Sequence, residues 1–296
     1  MTLIGKVARR FAPRLLWRYR VRKWHIAPPE QEVMLLPRLT DRRKLSIDVG
    51  AARGDYTAHL IPLSRRVVAF EPTPRFAEAL RQQFSDTALV TIEQVALSDR
   101  SGFLNMRVPK DSLWRATIDD QNTLAYSTEV ETISVAVRAL DEYGFRDVGF
   151  LKIDVEGHEF AVLRGASQTI HRERPNVLVE VEEQHRPGAL EDTFGFFEGA
   201  GYSGTFLLDG ELRPLAEFDR RIHQNLTHLD SRGEKTDRYI NNFLFVSPTR
   251  VGSRWLHRYF RYLSRRNSTS AARSVGARVR RVSSADRGRD VYIRSE

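Results

Sequence analysis

Residues 151–166, Leu-Lys-Ile-Asp-Val-Glu-Gly-His-Glu-Phe-Ala-Val-Leu-Arg-Gly-Ala, constrain the fold of this chain more than any other stretch. Their first half is a short apolar run that ends in acids, and their second half repeats apolar residues at helical spacing. This pattern predicts a buried strand that turns sharply into a helix. In open α/β sheets, ligands bind where the carboxyl ends of parallel strands meet the starts of helices. We therefore expect a functional site at this turn.

Three carboxylates lie at the predicted turn: Asp154, Glu156 and Glu159. An acid that follows a core strand, as Asp154 does, is costly to bury unless it is paired or reaches a cleft. Glu156 and Glu159 have a second interpretation, because acids also stabilise the positive end of a helix dipole. We predict Asp154, Glu156 and the adjacent His158 as catalytic residues.

Two earlier apolar runs are also followed by a glycine turn or an acid. The first contains Asp48 and opens into a turn with Gly50 and Gly54, and the second ends at Glu71. The glycines let the backbone approach a ligand closely, whereas the carboxylate of Asp48 would repel a pyrophosphate and attract an ammonium. An acid about twenty residues after such a turn, as Glu71 is, can accept both hydroxyls of a ribose. These features predict a site for a nucleoside that carries a cation, and S-adenosylmethionine is the common molecule of this kind.

Hydrophobic patterning predicts the remaining sheet. Strands are predicted at residues 44–49, 66–70, 90–96, 176–182, 205–208 and 242–246, with a hairpin at residues 103–108 and 133–137. The polar segment 111–132 between the hairpin strands is predicted to be an acceptor loop. The strand at 176–182 carries Glu180 and Glu182 and continues to His185, so these side chains should neighbour Asp154 across the sheet.

Six short motifs follow one another along residues 45–246. They are Asp48-Val-Gly-Ala, Ala69-Phe-Glu-Pro-Thr-Pro, Ala96-Leu-Ser-Asp, Leu140-Asp, Leu151-Lys-Ile-Asp-Val-Glu-Gly-His-Glu and Asn241-Asn-Phe-Leu-Phe. In this order they resemble the FkbM family of methyltransferases. The resemblance implies an α/β, class I (Rossmann-like) methyltransferase fold with a seven-stranded, mostly parallel sheet and helices on both faces. It also implies S-adenosylmethionine as the methyl donor and O-methylation of a hydroxyl on a glycan, glycolipid or secondary metabolite.

The resemblance also implies cofactor contacts by position. Asp48, Gly50 and Gly54 would line the methionine moiety, and Glu71 would bind the ribose. The adenine contacts would be Ala96, Leu97, Ser98 and Asp99. The family commonly has Asn two residues after the first glycine, where this chain has Ala52 in the cofactor turn. One hydrogen bond to the cofactor is therefore expected to be missing.

Methyl transfer to a hydroxyl requires a group that removes or neutralises the hydroxyl proton. A general base, His158 or His185, would serve. A divalent cation, Mg²⁺ or Mn²⁺, would also serve, and oxygen ligands suit such hard cations. The candidate metal ligands are Asp154, Glu180 and Glu182, which could instead hold a sugar through hydrogen bonds. We count Glu180, Glu182 and His185 among the catalytic candidates.

The net charge of +9 is spread unevenly: residues 1–29 carry +8, residues 250–296 carry +10, and the body carries −9. We predict a basic amphipathic extension at residues 1–33, a methyltransferase domain at 34–248, and a basic helix with a disordered tail at 249–296. The ends suggest attachment to an anionic membrane surface; the alternatives are nucleic acid, or two solvated helices against the domain. No apolar run approaches the roughly 20 residues of a membrane span. We predict a cytoplasmic protein, peripheral at the inner membrane face.

Two other functions remain open. A nucleic-acid methyltransferase would use the basic ends, but the chain lacks an Asp/Asn-Pro-Pro-aromatic motif that activates amines and has no cysteine to attack a pyrimidine carbon. A membrane-tethered protein that binds S-adenosylmethionine without turnover is supported by Ala52 alone. The absence of cysteine also excludes disulfide frameworks and thiolate metal sites.

Overall fold

The structure is a computed structural model that describes residues 30–124, 127–228 and 238–248. The predicted basic helices and tail at residues 1–29 and 249–296 lie outside these described residues. No helix within the described part of the chain is long and apolar enough to cross a membrane.

Eleven strands and seven α-helices make up the described part of the chain. The strands are β1 (Leu45–Val49), β2 (Arg66–Phe70), β3 (Val90–Glu93), β4 (Ala96–Leu97), β5 (Gly102–Pro109), β6 (Val130–Arg138), β7 (Val148–Ile153), β8 (Asn176–Glu180), β9 (Ser203–Leu208), β10 (Glu211–Pro214) and β11 (Asn242–Val246). The helices are α1 (Leu36–Leu39), α2 (Asp55–Leu60), α3 (Pro74–Gln83), α4 (Glu159–Gly165), α5 (Ser167–Glu173), α6 (Ala189–Gly199) and α7 (Arg220–His223). Short 3₁₀ turns lie between them, at Gln31–Leu35, Ile61–Leu63, Leu113–Arg115, Leu140–Tyr143, Leu215–Glu217 and Leu226–His228.

Eight strands form the main sheet in the order β10-β9-β11-β8-β7-β1-β2-β3. The pairs β1–β2, β1–β7, β2–β3 and β7–β8 are parallel, and β11 runs antiparallel to both of its neighbours. The predicted α/β architecture with a mostly parallel sheet is therefore confirmed. The strand order reverses between β1 and β7, and an open sheet binds ligands at such a switch point.

Helices cover both faces of this sheet. On one face, Val162 and Leu163 of α4, Ile170 of α5 and Phe197 of α6 belong to the main apolar core. On the other face, Thr57 of α2 donates a hydrogen bond to Asp48 of β1. The central strands are buried along their whole length, because a parallel sheet between two helix layers has no solvent-exposed face.

The sheet has eight strands rather than the seven expected. The additional strand is β10, which pairs with β9 in an antiparallel hairpin at the sheet edge. The two residues between them, Asp209 and Gly210, have φ angles of +52° and +74°. Asp-Gly with positive φ at both positions is the preferred two-residue hairpin turn. Asp209-Gly210 is a local sequence signal for this hairpin, but the strands predicted from the sequence do not include Glu211–Pro214.

A second, three-stranded sheet has the order β4-β6-β5. The predicted hairpin of residues 103–108 and 133–137 is confirmed as β5 and β6, which pair antiparallel from Gly102–Val137 to Pro109–Val130. The predicted strand at residues 90–96 is wrong at its end. It stops at Glu93, and Ala96–Leu97 pairs instead with β6. The chain thereby leaves the main sheet at its β3 edge, and Val95, Ala96 and Leu97 line one side of the cleft described below.

Candidate active site

The carboxyl ends of the central strands emerge together, since Val49 of β1 pairs with both Phe70 of β2 and Ile153 of β7. The residues that follow these three strands therefore meet at one edge of the sheet. The turn after β1 is tightly packed on the turn after β7: a Cβ at Gly50, whose φ is +80°, would overlap the carbonyl oxygen of Asp154. Glycine is required at this position for both its conformation and its size.

Glu71 lies at the end of β2 and is only 4% exposed. Its carboxylate accepts hydrogen bonds from the backbone N–H of Ala52 and of Thr73, each at 2.8 Å. Burial raises the pKa of Glu71. Each carboxylate oxygen keeps a lone pair that can accept a further hydrogen bond. Glu71 is thus oriented by the backbone and can accept two ribose hydroxyls.

Ala52 adopts a left-handed conformation, with a φ of +44°. Such a conformation costs a non-glycine residue of order 1 kcal/mol or more. Its N–H points at Glu71, so the backbone at this position contributes to the site although the side chain carries no polar group.

Asp48 is buried in β1 and accepts a hydrogen bond from the Thr57 hydroxyl at 2.5 Å. Burial raises the pKa of Asp48 from 3.8 to about 6. A cation bound beside this carboxylate would stabilise its ionised form.

Two adjoining cavities open at this sheet edge. The first has a volume of about 540 Å³ and is mostly apolar; its lining includes Phe70, Glu71, Phe76, Leu97, Met106 and Ile118. The second has a volume of about 670 Å³ and is charged; its lining includes Glu30, Asp48, Arg53, Asp55, Tyr56 and Lys152. The two cavities share Gly50, Ala52, Trp114, Asp154 and Glu156 and so form one continuous cleft.

The four predicted adenine contacts divide into two pairs. Ala96 and Leu97 line the first cavity. Ser98 and Asp99 are not part of its lining: the Ser98 hydroxyl lies 2.9 Å from Nε2 of His158, and Asp99 forms an ion pair of 2.5 Å with Arg164. The chain turns at the end of β4, so these two residues contact α4 and its N-terminus rather than the cleft.

Asp154 and Glu156, two of the predicted catalytic residues, line both cavities. Glu156 has a φ of +56°, and its carbonyl oxygen accepts hydrogen bonds from the Thr117 hydroxyl at 2.7 Å and the Asn122 amide at 2.9 Å. Thr117 and Asn122 belong to the segment predicted as an acceptor loop. This segment therefore holds the strained turn at the cleft in place.

Glu159 stabilises the backbone of the turn between β7 and α4. Its Oε1 accepts the N–H of Gly157 at 2.9 Å, and the side chain is buried. This contact agrees with the interpretation of Glu159 as a residue that stabilises the helix start.

Neither predicted histidine lines the two cavities. His158 contacts Ser98 and lies 3.9 Å from Asp119 through its Nδ1. His185 places Nε2 3.4 Å from Oε2 of Glu156 and 3.9 Å from Oε2 of Glu182, so it packs behind Glu156. A general-base role for either histidine in direct contact with the acceptor does not fit this geometry, whereas His185 can orient the Glu156 carboxylate.

The predicted metal trio of Asp154, Glu180 and Glu182 is not formed. Instead, one carboxylate oxygen each of Glu30, Asp154 and Glu180 lie within 4.8 Å of one another. Glu182 accepts hydrogen bonds from Gln184, from the Tyr239 hydroxyl at 2.9 Å and from the Asn241 amide at 3.2 Å. The reason is that β8 ends at Glu180, so Glu182 no longer follows the alternation of the strand.

The predictions from the sequence omitted several residues of the cleft, among them Glu30, Tyr56 and Lys152. Tyr56 donates to Glu30 at 2.5 Å, and Lys152 places Nζ 3.3 Å from Oδ2 of Asp154. A lysine between apolar residues of a core strand is as unusual as an acid there, so the sequence marks Lys152 as a candidate site residue. No sequence pattern marks Glu30, because it precedes the first strand and reaches the site only through tertiary packing.

Residues 48–203 of the chain match the model of the Methyltransferase FkbM domain. The chain belongs to the FkbM methyltransferase family. This match covers Asp48, Glu71, Asp154 and His185 but not Glu30 or Asn241. The matched domain is therefore of a type found in S-adenosylmethionine-dependent methyltransferases. This family agrees with the predicted class I fold.

Solved structures of methyltransferases resemble this domain at low sequence identity. Methyltransferase FkbM from Methylobacillus flagellatus KT is 19% identical, with a TM-score of 0.45, over 69% of this chain and 44% of that chain. This chain thus matches less than half the length of that FkbM protein. A precorrin-6y C5,15-methyltransferase from Geobacter metallireducens GS-15 is 11% identical, with a TM-score of 0.39, over 73% of this chain and 87% of that chain. A putative methyltransferase from Streptococcus mutans, in complex with SAH, is 11% identical, with a TM-score of 0.40, over 74% and 97%. No protein of curated function matches the sequence.

Proposed function

We propose that this FkbM protein transfers the methyl group of S-adenosylmethionine to a hydroxyl of a small molecule, glycan or glycolipid. The observation that carries the proposal is that Asp154 and Glu156 line both cavities. A cofactor that spans the cleft would present its sulfonium near the junction, where these carboxylates lie. The hydroxyl of an acceptor that approaches there would meet a carboxylate able to accept its proton.

The two cavities fit the two halves of the cofactor. The first combines apolar walls with Glu71, as an adenosine requires for its base and its ribose hydroxyls. The second contains Glu30, Asp48 and Asp55, which suit the cationic methionine half. In-line transfer then requires the acceptor to enter at the junction of the two cavities.

A hydroxyl acceptor without phosphodiesters fits the cleft better than a nucleic acid does. The second cavity is lined by two cations, Arg53 and Lys152, and by five acids. The acids are Glu30, Asp48, Asp55, Asp154 and Glu156. Such an excess of carboxylates would repel a polyanion. The basic character of the chain lies in its ends rather than in this cleft.

A divalent cation such as Mg²⁺ or Mn²⁺ is the other means of activating a hydroxyl. The oxygens of Glu30, Asp154 and Glu180 are of the right chemical type for either ion. The Lys152 ammonium, however, already lies 3.3 Å from Asp154. The proposed reaction therefore uses a carboxylate base and no metal.

The test compares Asp154→Asn and Glu156→Gln with the control Asp99→Asn, whose carboxylate pairs with Arg164 outside the cleft. We expect at least one cleft variant to lose about 10²-fold or more in turnover, as for the loss of a general base. Turnover is measured by mass spectrometry as the gain of one methylene on extracted lipids, glycans and metabolites. Calorimetry with S-adenosylhomocysteine should show cofactor affinity within a few-fold of wild type.

The control should retain wild-type turnover. If both cleft variants methylate as fast as wild type, the carboxylates are structural and the proposed base is wrong. If methylated products appear only on nitrogen or carbon, the acceptor class is wrong.

A further inference from the structure

Lys152 lies within β7, is 1% exposed and lines the second cavity. Its Nζ makes no hydrogen bond of good geometry within the described part of the chain. An ammonium removed from water costs several kcal/mol unless nearby charge compensates for it. The surroundings of Lys152 must therefore supply negative charge.

Carboxylates supply that charge. Asp154 Oδ2 lies 3.3 Å from Nζ of Lys152, and Asp154, Glu180 and Glu30 bring their oxygens within 4.8 Å of one another. The ring of Tyr56 adds a cation–π contact, with its centroid 5.0 Å from Nζ. We name Glu30, Asp154 and Glu180 the carboxylate cluster.

The carboxylate cluster is held from outside by neutral donors. Glu30 accepts from the Tyr56 hydroxyl at 2.5 Å and from the Asn242 amide at 3.1 Å. Glu180 accepts from the Asn241 amide at 2.6 Å. These donors fix the positions of the carboxylates but do not neutralise them.

The charge state of Lys152 follows from this environment. Lys152 is 1% exposed and its Nζ lies 3.3 Å from Oδ2 of Asp154, whose carboxylate is within 4.8 Å of those of Glu30 and Glu180. Carboxylates this close favour the charged form of the lysine. Three carboxylates this close would otherwise have to share a proton or bind a cation.

We propose that Lys152 is a positioning residue whose ammonium takes the place of a divalent metal ion in the carboxylate cluster. It keeps Glu30, Asp154 and Glu180 ionised and gathered at the methionine end of the cleft, and it excludes Mg²⁺ and Mn²⁺ by charge and by volume. Its effect on turnover rests on the proposed role of Asp154, whereas the exclusion of metal does not.

One consequence distinguishes this role from simple packing. A neutral side chain of similar length, as in Lys152→Met, removes the Lys152 ammonium from the carboxylate cluster. Oxygen ligands in such a cluster suit Mn²⁺. The variant should therefore gain a metal site that the wild type lacks, and Lys152→Arg, which keeps the charge, should not.

The experiment titrates the full-length protein with MnCl₂ and follows free Mn²⁺ by electron paramagnetic resonance. The matched control is Lys110→Met, whose exposed ammonium pairs with Glu129 away from the cleft. We expect Lys152→Met to bind Mn²⁺ at least about tenfold more tightly than wild type, Lys152→Arg and Lys110→Met. Addition of Glu180→Gln to Lys152→Met should abolish the gain.

Two results would overturn the proposal. One is a wild-type protein that binds Mn²⁺ with an affinity that Glu180→Gln reduces. The other is a folded Lys152→Met, verified by circular dichroism, that gains no affinity for Mn²⁺. If Lys152→Met does not fold, the wild-type titration and the Glu180→Gln variant still decide. Since no acceptor is present, failure here is distinct from failure of the proposed O-methylation.

Discussion

Acids that are partly or fully buried near the cleft carry a free-energy cost that depends on pH. Glu32, in the turn before α1, is the clearest example: burial, together with the nearby Glu30, raises its pKa from 4.5 to about 7, although a backbone hydrogen bond acts in the opposite direction. The folded state therefore holds this proton in a range where the unfolded chain has lost it. The contribution of Glu32 to the free energy of unfolding therefore falls as the pH rises from about 4.5 to about 7, because the folded state keeps this proton there.

We expect Glu32→Gln to remove this cost. At pH 4 the variant and wild type should have similar free energies of unfolding, because Glu32 is protonated in both states. At pH 8 the variant should be more stable by about 1 to 2 kcal/mol, less than the full shift implies because the side chain is partly solvated. Urea unfolding at the two pH values measures the difference. Equal stability of the two proteins at pH 8 would show that Glu32 ionises without cost.

At the scale of an element, the position of α4 depends on one close approach. A Cβ at Gly165, near the end of α4, would overlap the carbonyl oxygen of Ser98. Glycine here lets the helix pack directly on the backbone after β4. The same helix begins at His158 and Glu159, so its placement also sets the turn that carries Glu156.

We expect Gly165→Ala to lower the free energy of unfolding by about 2 to 4 kcal/mol, because backbone cannot yield as a flexible side chain does. The matched control is Gly195→Ala in α6, where a Cβ meets nothing within 4 Å. There the helix propensity of Ala should leave the protein unchanged or stabilise it by up to about 1 kcal/mol. Chemical denaturation measures the free energy of unfolding of both variants. If the two substitutions change it equally, α4 shifts away from Ser98 without loss of stability.

At the scale of the whole molecule, charge is separated between the body and the ends. The body is acidic, while residues 1–29 carry +8 and residues 267–296 carry +4. Each basic residue near an anionic membrane surface contributes about 1 kcal/mol to binding. We propose on this basis that the ends attach the enzyme to anionic lipid, near a lipid-linked acceptor.

Deletion of residues 1–29 and 267–296 should abolish sedimentation with anionic liposomes at physiological salt and leave the affinity for S-adenosylhomocysteine unchanged. Neutral liposomes and high salt serve as controls, since both should release the full-length protein. Liposome binding by the truncated protein equal to that of the full-length chain would reject attachment through the ends.

The sequence by itself determined most of the strands and several of the residues that line the cleft. Asp48, Gly50, Glu71 and Asp154 were predictable, because each stands at the end of a locally recognisable apolar strand, and parallel strands bring their ends to one edge. Local patterning identifies these strand ends, although it does not give the order of the strands in the sheet. The eighth strand also had a local signal, in Asp209-Gly210.

Only the tertiary structure decided what faces the cleft and what compensates its charge. Sequence position did not separate Glu180 from Glu182, because the end of a strand depends on its partners and not on its own residues. Glu30 joins Asp154 and Glu180 through packing between segments far apart in the chain. Lys152 is kept charged by those same carboxylates. Electrostatic compensation acts through space, and its partners are therefore known only once the fold has brought them together.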